Sequence, residues 1–273
     1  MSLSAPAIRA RKRSRGDAPL VMVTAYDEPS ARYADAAGVD IILVGDSMAN
    51  VVLGQTDTLH LSVEEMAHHV AAVAAAHPLA HVVADMPWMS YHVGWADAVR
   101  NAAVLVRSGA QSVKLEGGHE RLEVVRALLD AEIPVMGHLG LTPQSVLAFG
   151  GFKVQAKSRE AAKLLVEDAL LLQEVGVYAI VIEGVPRLVG SEVTAALEIP
   201  TIGIGAGPDT DGQVLVFHDL LGMTSRKPAR FVRQYAQVGE VITDAIGRYA
   251  ADVRSGAFPR EDESYPNPEE LTH

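Results

Sequence analysis

Eight short runs of apolar and β-branched residues recur along the chain, and they restrict its fold more than any other feature. They read LVMVTA (20–25), DIILVG (40–45), HVVAD (81–85), QSVKLE (111–116), IPVMGH (133–138), YAIVIE (178–183), IPTIGIG (199–205) and QVLVFHD (213–219). Most are apolar almost throughout instead of alternating, the pattern of strands covered on both faces and hence of parallel sheets. Between them lie Ala- and Leu-rich stretches with helical spacing, among them 29–38, 62–77, 95–109, 119–131 and 159–176. Several close on Ala-Gly or Ser-Gly, which stops a helix and feeds the next strand. The link between the seventh and eighth runs is short and glycine-rich, so its helix is expected to be missing or vestigial.

Strands alternating with helices imply parallel βα units with right-handed crossovers, and eight such strands can close on themselves. The expected fold is therefore α/β, a single-domain (β/α)8 TIM barrel. A doubly wound open sheet is the rival. One that binds a dinucleotide carries G-x-G-x-x-G after its first strand. Here YDEPSA follows the first run, and the glycine cluster GIGAGP (203–208) comes late with the wrong spacing.

Composition removes whole classes of function. No cysteine is present, which excludes disulfides, thiolate metal sites and cysteine nucleophiles. It also agrees with a cytoplasmic location, the one expected. A formal net charge of −11 disfavours nucleic acid as a partner. No apolar stretch approaches the roughly 18 residues of a membrane span. The segment IRARKRSRG (8–16) is the basic exception, and the carboxyl end, FPREDESYPNPEELTH, is polar and acidic. The expected organisation is a basic arm, mobile or surface-bound, over 1–17, a catalytic barrel over 18–255, and a polar tail over 256–273.

Residues able to carry chemistry gather at the carboxyl ends of the runs. Asp46 follows the second run, Asp85 ends the third, Lys114 and Glu116 lie in the fourth, His138 ends the fifth and Glu183 ends the sixth. In a parallel barrel all these ends meet at one mouth, where barrel active sites lie. Three neighbouring carboxylates repel one another unless a cation neutralises them. Asp46, Asp85 and Glu116 offer hard oxygens, a set suited to Mg²⁺. Strand period two puts Lys114 on the face of Glu116. A 2-oxo acid fits such a site, its keto oxygen and carboxylate chelating the metal while lysine holds a carboxylate oxygen. A metal-polarised carbonyl acidifies the adjacent carbon, and Glu183, outside the trio, is the free candidate base. The resulting Mg-enolate would attack an electrophilic carbon.

The segments TAYD (24–27), LVGDS (43–47), ADMP (84–87), VKLEGG (113–118), GHLGLTPQSV (137–146), GGFKVQ (150–155) and IPTIGIGAG (199–207) closely resemble the ketopantoate hydroxymethyltransferase family. The resemblance implies a (β/α)8 barrel that uses Mg²⁺ and moves a hydroxymethyl group from 5,10-methylenetetrahydrofolate to 3-methyl-2-oxobutanoate, giving 2-dehydropantoate for pantothenate and coenzyme A synthesis. It assigns Asp46, Asp85 and Glu116 to the metal, Asp46, Ser47, Asp85 and Lys114 to the oxo acid, and proton acceptance to Glu183. It also implies a homodecamer. His60, Gln55 and Ala156 depart from the family pattern, Ala156 standing where a glycine is expected.

Three other readings stand beside this one. They are a Mg-dependent C–C lyase of the phosphoenolpyruvate mutase/isocitrate lyase type, a Schiff-base aldolase using Lys114, and a barrel that binds without catalysing. Histidines 68, 69, 77 and 81 show no H-E-x-x-H spacing and are expected to be solvated or capping. Thr142 and Pro143 suggest a helix start, with Thr142 as N-cap, that would favour an unidentified anion.

Overall fold

The computed structural model describes residues 3–224 and 227–266. Eight strands, β1 (Leu20–Thr24), β2 (Ile41–Val44), β3 (His81–Asp85), β4 (Ser112–Glu116), β5 (Val135–Gly140), β6 (Ala179–Glu183), β7 (Thr201–Ile204) and β8 (Gly212–Leu215), pair in sequence order. Every pairing is parallel, and β8 returns to β1 to close the barrel. The expected (β/α)8 barrel is the observed one. The last run is shorter than its sequence implies: Phe217–Leu220 is already helical. No helix separates β7 from β8.

The longer helices between strands are α2 (Glu28–Ala36), α3 (Val63–Ala74), α4 (Trp95–Arg107), α5 (Leu122–Asp130), α6 (Arg159–Val175) and α7 (Arg187–Ala196); α1 (Ala5–Arg9) precedes the barrel. Their starts are set by local chemistry. Asp27 and Ser62 each accept a backbone N–H three residues on, and Ser30 and Glu65 answer with side-chain bonds back to the cap backbone. Gly176, at φ 117°, turns the chain out of α6 into β6.

Strand alternation sorts the side chains into layers. Met22, Leu43, Val83, Met136, Val181, Ile202 and Val214 form one apolar cluster. Two residues further along the same strands, on the same face, come Asp85, His138 and Glu183. The polar mouth is thus the next layer above the hydrophobic one.

The basic amino-terminal segment does more than lie on the surface. Ala5 and Ile8 of α1 belong to the same core cluster, and Ile8 is fully buried. Burial of that one side chain contributes roughly 1.5–3 kcal/mol. Lys12 reaches inward as well, donating to the carbonyls of Thr194 (2.8 Å) and Ile199 (3.1 Å) and to Asp211 Oδ2 (2.7 Å). Asp211 also accepts from Arg13 N, Thr201 N and Thr201 Oγ1. At the same end His81 is buried, not solvated. Its Nδ1 donates to Leu3 O and its Nε2 accepts from Ser112 Oγ, while burial depresses its pKa to about 4.

The compact units divide differently from the boundaries expected at residues 17 and 255. One comprises Met1–Phe217 with Ala229–Val232; the other comprises His218–Pro228 and Arg233–His273. The second unit contains α8 (Val238–Ser255), of which no residue is buried. Of the polar tail, residues 267–273 lie outside the described residues, and 261–263 form an exposed 3-10 turn. Among the described residues no helix is long and apolar enough to cross a membrane.

Ala156 has φ 52°, in the left-handed region where the Cβ costs roughly 1–2 kcal/mol. This is the physical reason a glycine is expected there.

The Lys12–Asp211 pair yields a ranking. Removing one partner of a buried pair leaves an uncompensated charge, at about 3–5 kcal/mol. Asp211→Ala strands the Lys12 ammonium. Lys12→Met leaves Asp211 three donors. Urea unfolding is expected to show the larger loss for Asp211→Ala, and the reverse order would contradict this account.

Candidate active site

The mouth is built on the ends of β2 to β6. Asp46, Asp85, Lys114 and Glu116 are buried there, and Ser47 and Glu183 are partly exposed. Asp85 joins two strands. Its Oδ2 accepts the backbone N–H of Asp46 (3.0 Å), and its Oδ1 lies 2.7 Å from Lys114 Nζ. Gly45 makes room for this, since a Cβ there would stand 3.0 Å from Ser47 Oγ and 3.5 Å from Asp85 Oδ2.

Lys114 also donates to His138 Nδ1 (3.2 Å). An ammonium only donates, so Nδ1 is the accepting nitrogen and the ring hydrogen sits on Nε2. That nitrogen lies 3.2 Å from Glu183 Oε2. Burial, then the Lys114 charge, depress the His138 pKa and keep the ring neutral. Glu183 is therefore connected through His138 and Lys114 to Asp85 and Asp46. Five of the six residues expected at the site, Asp46, Asp85, Lys114, Glu116 and Glu183, gather around His138 and Gln144, while the Ser47 hydroxyl contacts Tyr26 Oη (2.9 Å).

Two side chains of the network carry no signal in the run-and-helix pattern. Gln144 donates from Nε2 to Asp46 Oδ2 (2.9 Å) and to Met86 O (3.0 Å), and its Oε1 accepts from Tyr91 Oη (2.7 Å). Its backbone N–H donates to Glu116 Oε2 (3.0 Å). The anion at this turn is thus the Glu116 carboxylate. Thr142 stands at the expected N-cap position, but its side chain makes no capping bond, its hydroxyl donating to Ser145 Oγ (2.9 Å) instead. Pro143 is the detectable sign that a turn begins. The turn is brought over the barrel by Gly140, whose φ of 94° lets Leu141 N reach Glu183 O at 2.8 Å.

The charges do not balance. Burial, then repulsion by Asp85 and Glu116, raises the Asp46 pKa to about 8 against the pull of Lys114 and Gln144. Burial raises Glu116 to about 8, again with Asp85 adding to it and Lys114 opposing. Burial would lower Lys114, but Asp85, Asp46 and Glu116 outweigh it and hold the ammonium protonated. Glu116 Oε1 is buried with no hydrogen-bond donor, 3.5 Å from His138 Nδ1. Among the described residues no group of three or more His, Asp or Glu side chains is arranged to hold a metal ion together, Asp46, Asp85 and Glu116 included.

The sequence profile of the ketopantoate hydroxymethyltransferase family matches residues 3–261. The chain belongs to the ketopantoate hydroxymethyltransferase family. A 3-methyl-2-oxobutanoate hydroxymethyltransferase of Koribacter versatilis is 52% identical over 260 residues, 95% of this chain and 88% of that one. Another, from Pyrobaculum arsenaticum, is 54% identical over 248 residues, 91% of this chain and 94% of that one. As a member of this family the chain is an enzyme of the hydroxymethyltransferase class. Among solved structures, a 2,3-dimethylmalate lyase of the PEP mutase/isocitrate lyase superfamily superposes with a TM-score of 0.62 at 19% identity, covering 97% of this chain and 93% of that one. A phosphonopyruvate hydrolase crystallised with oxalate and Mg²⁺ gives 0.61 at 15%, covering 99% and 94%. These two likenesses establish the barrel only. Against relatives above 50% identity they do not favour the lyase reading.

Raised carboxylate pKa values have a sign. Between their ordinary values, 3.8 and 4.5, and about 8, the folded chain keeps protons that the unfolded chain has released. This contribution to stability is complete at low pH and is lost as pH rises through about 8. In the presence of a chelator the urea midpoint is expected to fall between about pH 6 and about pH 9, and less steeply in Asp46→Asn. Equal slopes for parent and variant would remove Asp46 from this role.

Proposed function

We propose that the chain transfers a hydroxymethyl group from 5,10-methylenetetrahydrofolate to 3-methyl-2-oxobutanoate, giving 2-dehydropantoate in the synthesis of pantothenate and coenzyme A. The observation that carries this reading is the buried network at the mouth. There the Glu183 carboxylate, the Lys114 ammonium and the hard-oxygen side chains of Asp46, Asp85 and Glu116 are gathered around His138 and Gln144. Relatives above 50% identity that carry this activity in their names add support.

Asp46, Asp85 and Glu116 are the residues that would hold a hard divalent cation, Mg²⁺. The fit rests on their oxygen chemistry and on the donorless Glu116 Oε1. Mg²⁺ keeps several waters and takes one or two carboxylates directly, so three converging protein ligands are not required. When bound, the ion polarises the keto oxygen and makes the adjacent C3 more acidic. Lys114, kept charged by its neighbours, binds an oxygen of the oxo acid, as does the Ser47 hydroxyl that Tyr26 orients. Glu183 takes the C3 proton, its carboxylate steadied by the Nε2–H of His138. The electron pair left at C3 makes the new C–C bond to the one-carbon unit. That carbon leaves the folate nitrogen, and water supplies the hydroxyl. A Schiff-base route through Lys114 is disfavoured, because three carboxylates hold the proton that the amine would have to lose.

The active assembly in this reading is a homodecamer. Ile242, Ile246, Tyr249 and Val253 line α8 at helical spacing and are all exposed, an apolar stripe that further copies of the chain are suited to cover. Light scattering at micromolar concentration is expected to report a large assembly; a monomer would overturn this part.

The chemistry is tested by exchange of the C3 proton of 3-methyl-2-oxobutanoate in D₂O, with Mg²⁺ and without folate. The parent is expected to exchange it, and chelator or Glu183→Gln to stop it. Equal exchange by parent and Glu183→Gln would refute Glu183 as the base. Exchange that survives chelation would refute the metal.

A further inference from the structure

We infer that Gln144 is a positioning residue for the divalent cation, selecting which oxygen of Asp46 and of Glu116 is offered to it. The inference rests on the metal reading above. One amide and one backbone N–H occupy Asp46 Oδ2 (2.9 Å) and Glu116 Oε2 (3.0 Å), which belong to carboxylates on β4 and beyond β2. Each carboxylate is left a single oxygen, Oδ1 on Asp46 and Oε1 on Glu116, and the latter is buried without a donor. A hydrogen bond to one oxygen of a carboxylate disfavours two-oxygen binding of a cation and leaves the other oxygen the more open to it.

The clamp is fixed in one orientation. Both hydrogens of Nε2 are used, on Asp46 and on Met86 O (3.0 Å), and Oε1 accepts from Tyr91 Oη (2.7 Å). A flipped amide would set its oxygen against Asp46 and Met86 O, two acceptors, and its nitrogen against a hydroxyl already placed by the backbone N–H of Glu116 (3.3 Å). Tyr91 is itself buried, so water does not compete for these bonds. Gln144, Tyr91 and Asp46 come from three different loops or strand ends, and this one amide fixes their spacing.

Single-oxygen binding suits a small ion that demands octahedral geometry. Two-oxygen binding suits Ca²⁺, which accepts more ligands and looser geometry. Gln144 therefore contributes to affinity for Mg²⁺ and to its preference over Ca²⁺.

The test is calorimetric titration of chelator-stripped protein with Mg²⁺ and, separately, Ca²⁺. The variants are Gln144→Met, which keeps the volume and loses the amide, and Tyr91→Phe, which keeps Gln144 but frees its oxygen. Loss of an outer partner of a metal ligand typically weakens metal binding about 10–100-fold, and that loss is expected for Mg²⁺ in Gln144→Met. Ca²⁺ binding should fall less, narrowing the Mg²⁺ preference, and Tyr91→Phe should show a smaller change in the same direction. Near-UV circular dichroism checks the fold, and Tyr91→Phe decides if Gln144→Met is unfolded. Folded variants with the parent's Mg²⁺ affinity and Mg²⁺/Ca²⁺ ratio would overturn the role of Gln144 while leaving the metal reading intact. A parent that binds neither ion would overturn the metal reading, and this inference with it.

Discussion

The mouth of the barrel depends on one buried ammonium among three carboxylates. Lys114 touches Asp85 at 2.7 Å and His138 at 3.2 Å, and it is the only cation in the network that never accepts a hydrogen bond. That single property dictates the rest. It fixes the imidazole tautomer, points the ring N–H toward Glu183 and holds Asp85 beside the backbone of Asp46. One positive charge does not neutralise three negative ones in a dry site, so the remainder is met by bound protons or by a further cation. The acid–base chemistry of the site and its appetite for a metal have the same electrostatic origin.

The barrel supports this arrangement because strand geometry separates the two demands. Residues two apart share a face, so Val83, Met136 and Val181 can fill the interior while Asp85, His138 and Glu183 stand one layer higher. The apolar layer excludes water from beneath the charges and strengthens every interaction among them. A shift of one residue in any of these strands would send the charged group outward and an apolar one into the mouth.

What the sequence reveals follows from that layering. Asp85, Lys114, Glu116, His138 and Glu183 stand out because a carboxylate, amine or imidazole interrupts an apolar run at a defined place. Gln144 and Tyr91 do not stand out. They sit in loops, where no period marks direction, and their roles come from meeting across 53 positions of sequence. Ile8 is hidden for another reason: basic neighbours dominate the composition of its segment, and one isoleucine gives no pattern that distinguishes a plug from an arm. The eighth run reads as a strand through residue 219, yet pairing ends at Leu215. Ala156 is the converse case, a departure from the family pattern whose cost becomes visible only as a positive φ.

The Lys12–Asp211 contact spans 199 residues of chain. The lysine is translated 199 residues before its partner, which follows the seventh strand. The amino-terminal segment must therefore remain unsatisfied through most of synthesis, with Ile8 and a cationic side chain waiting in solvent for a socket that does not yet exist. Ring closure and seating of the plug become a single late event with high contact order. Until then the nascent barrel is open along one edge, where unpaired strand groups face solvent.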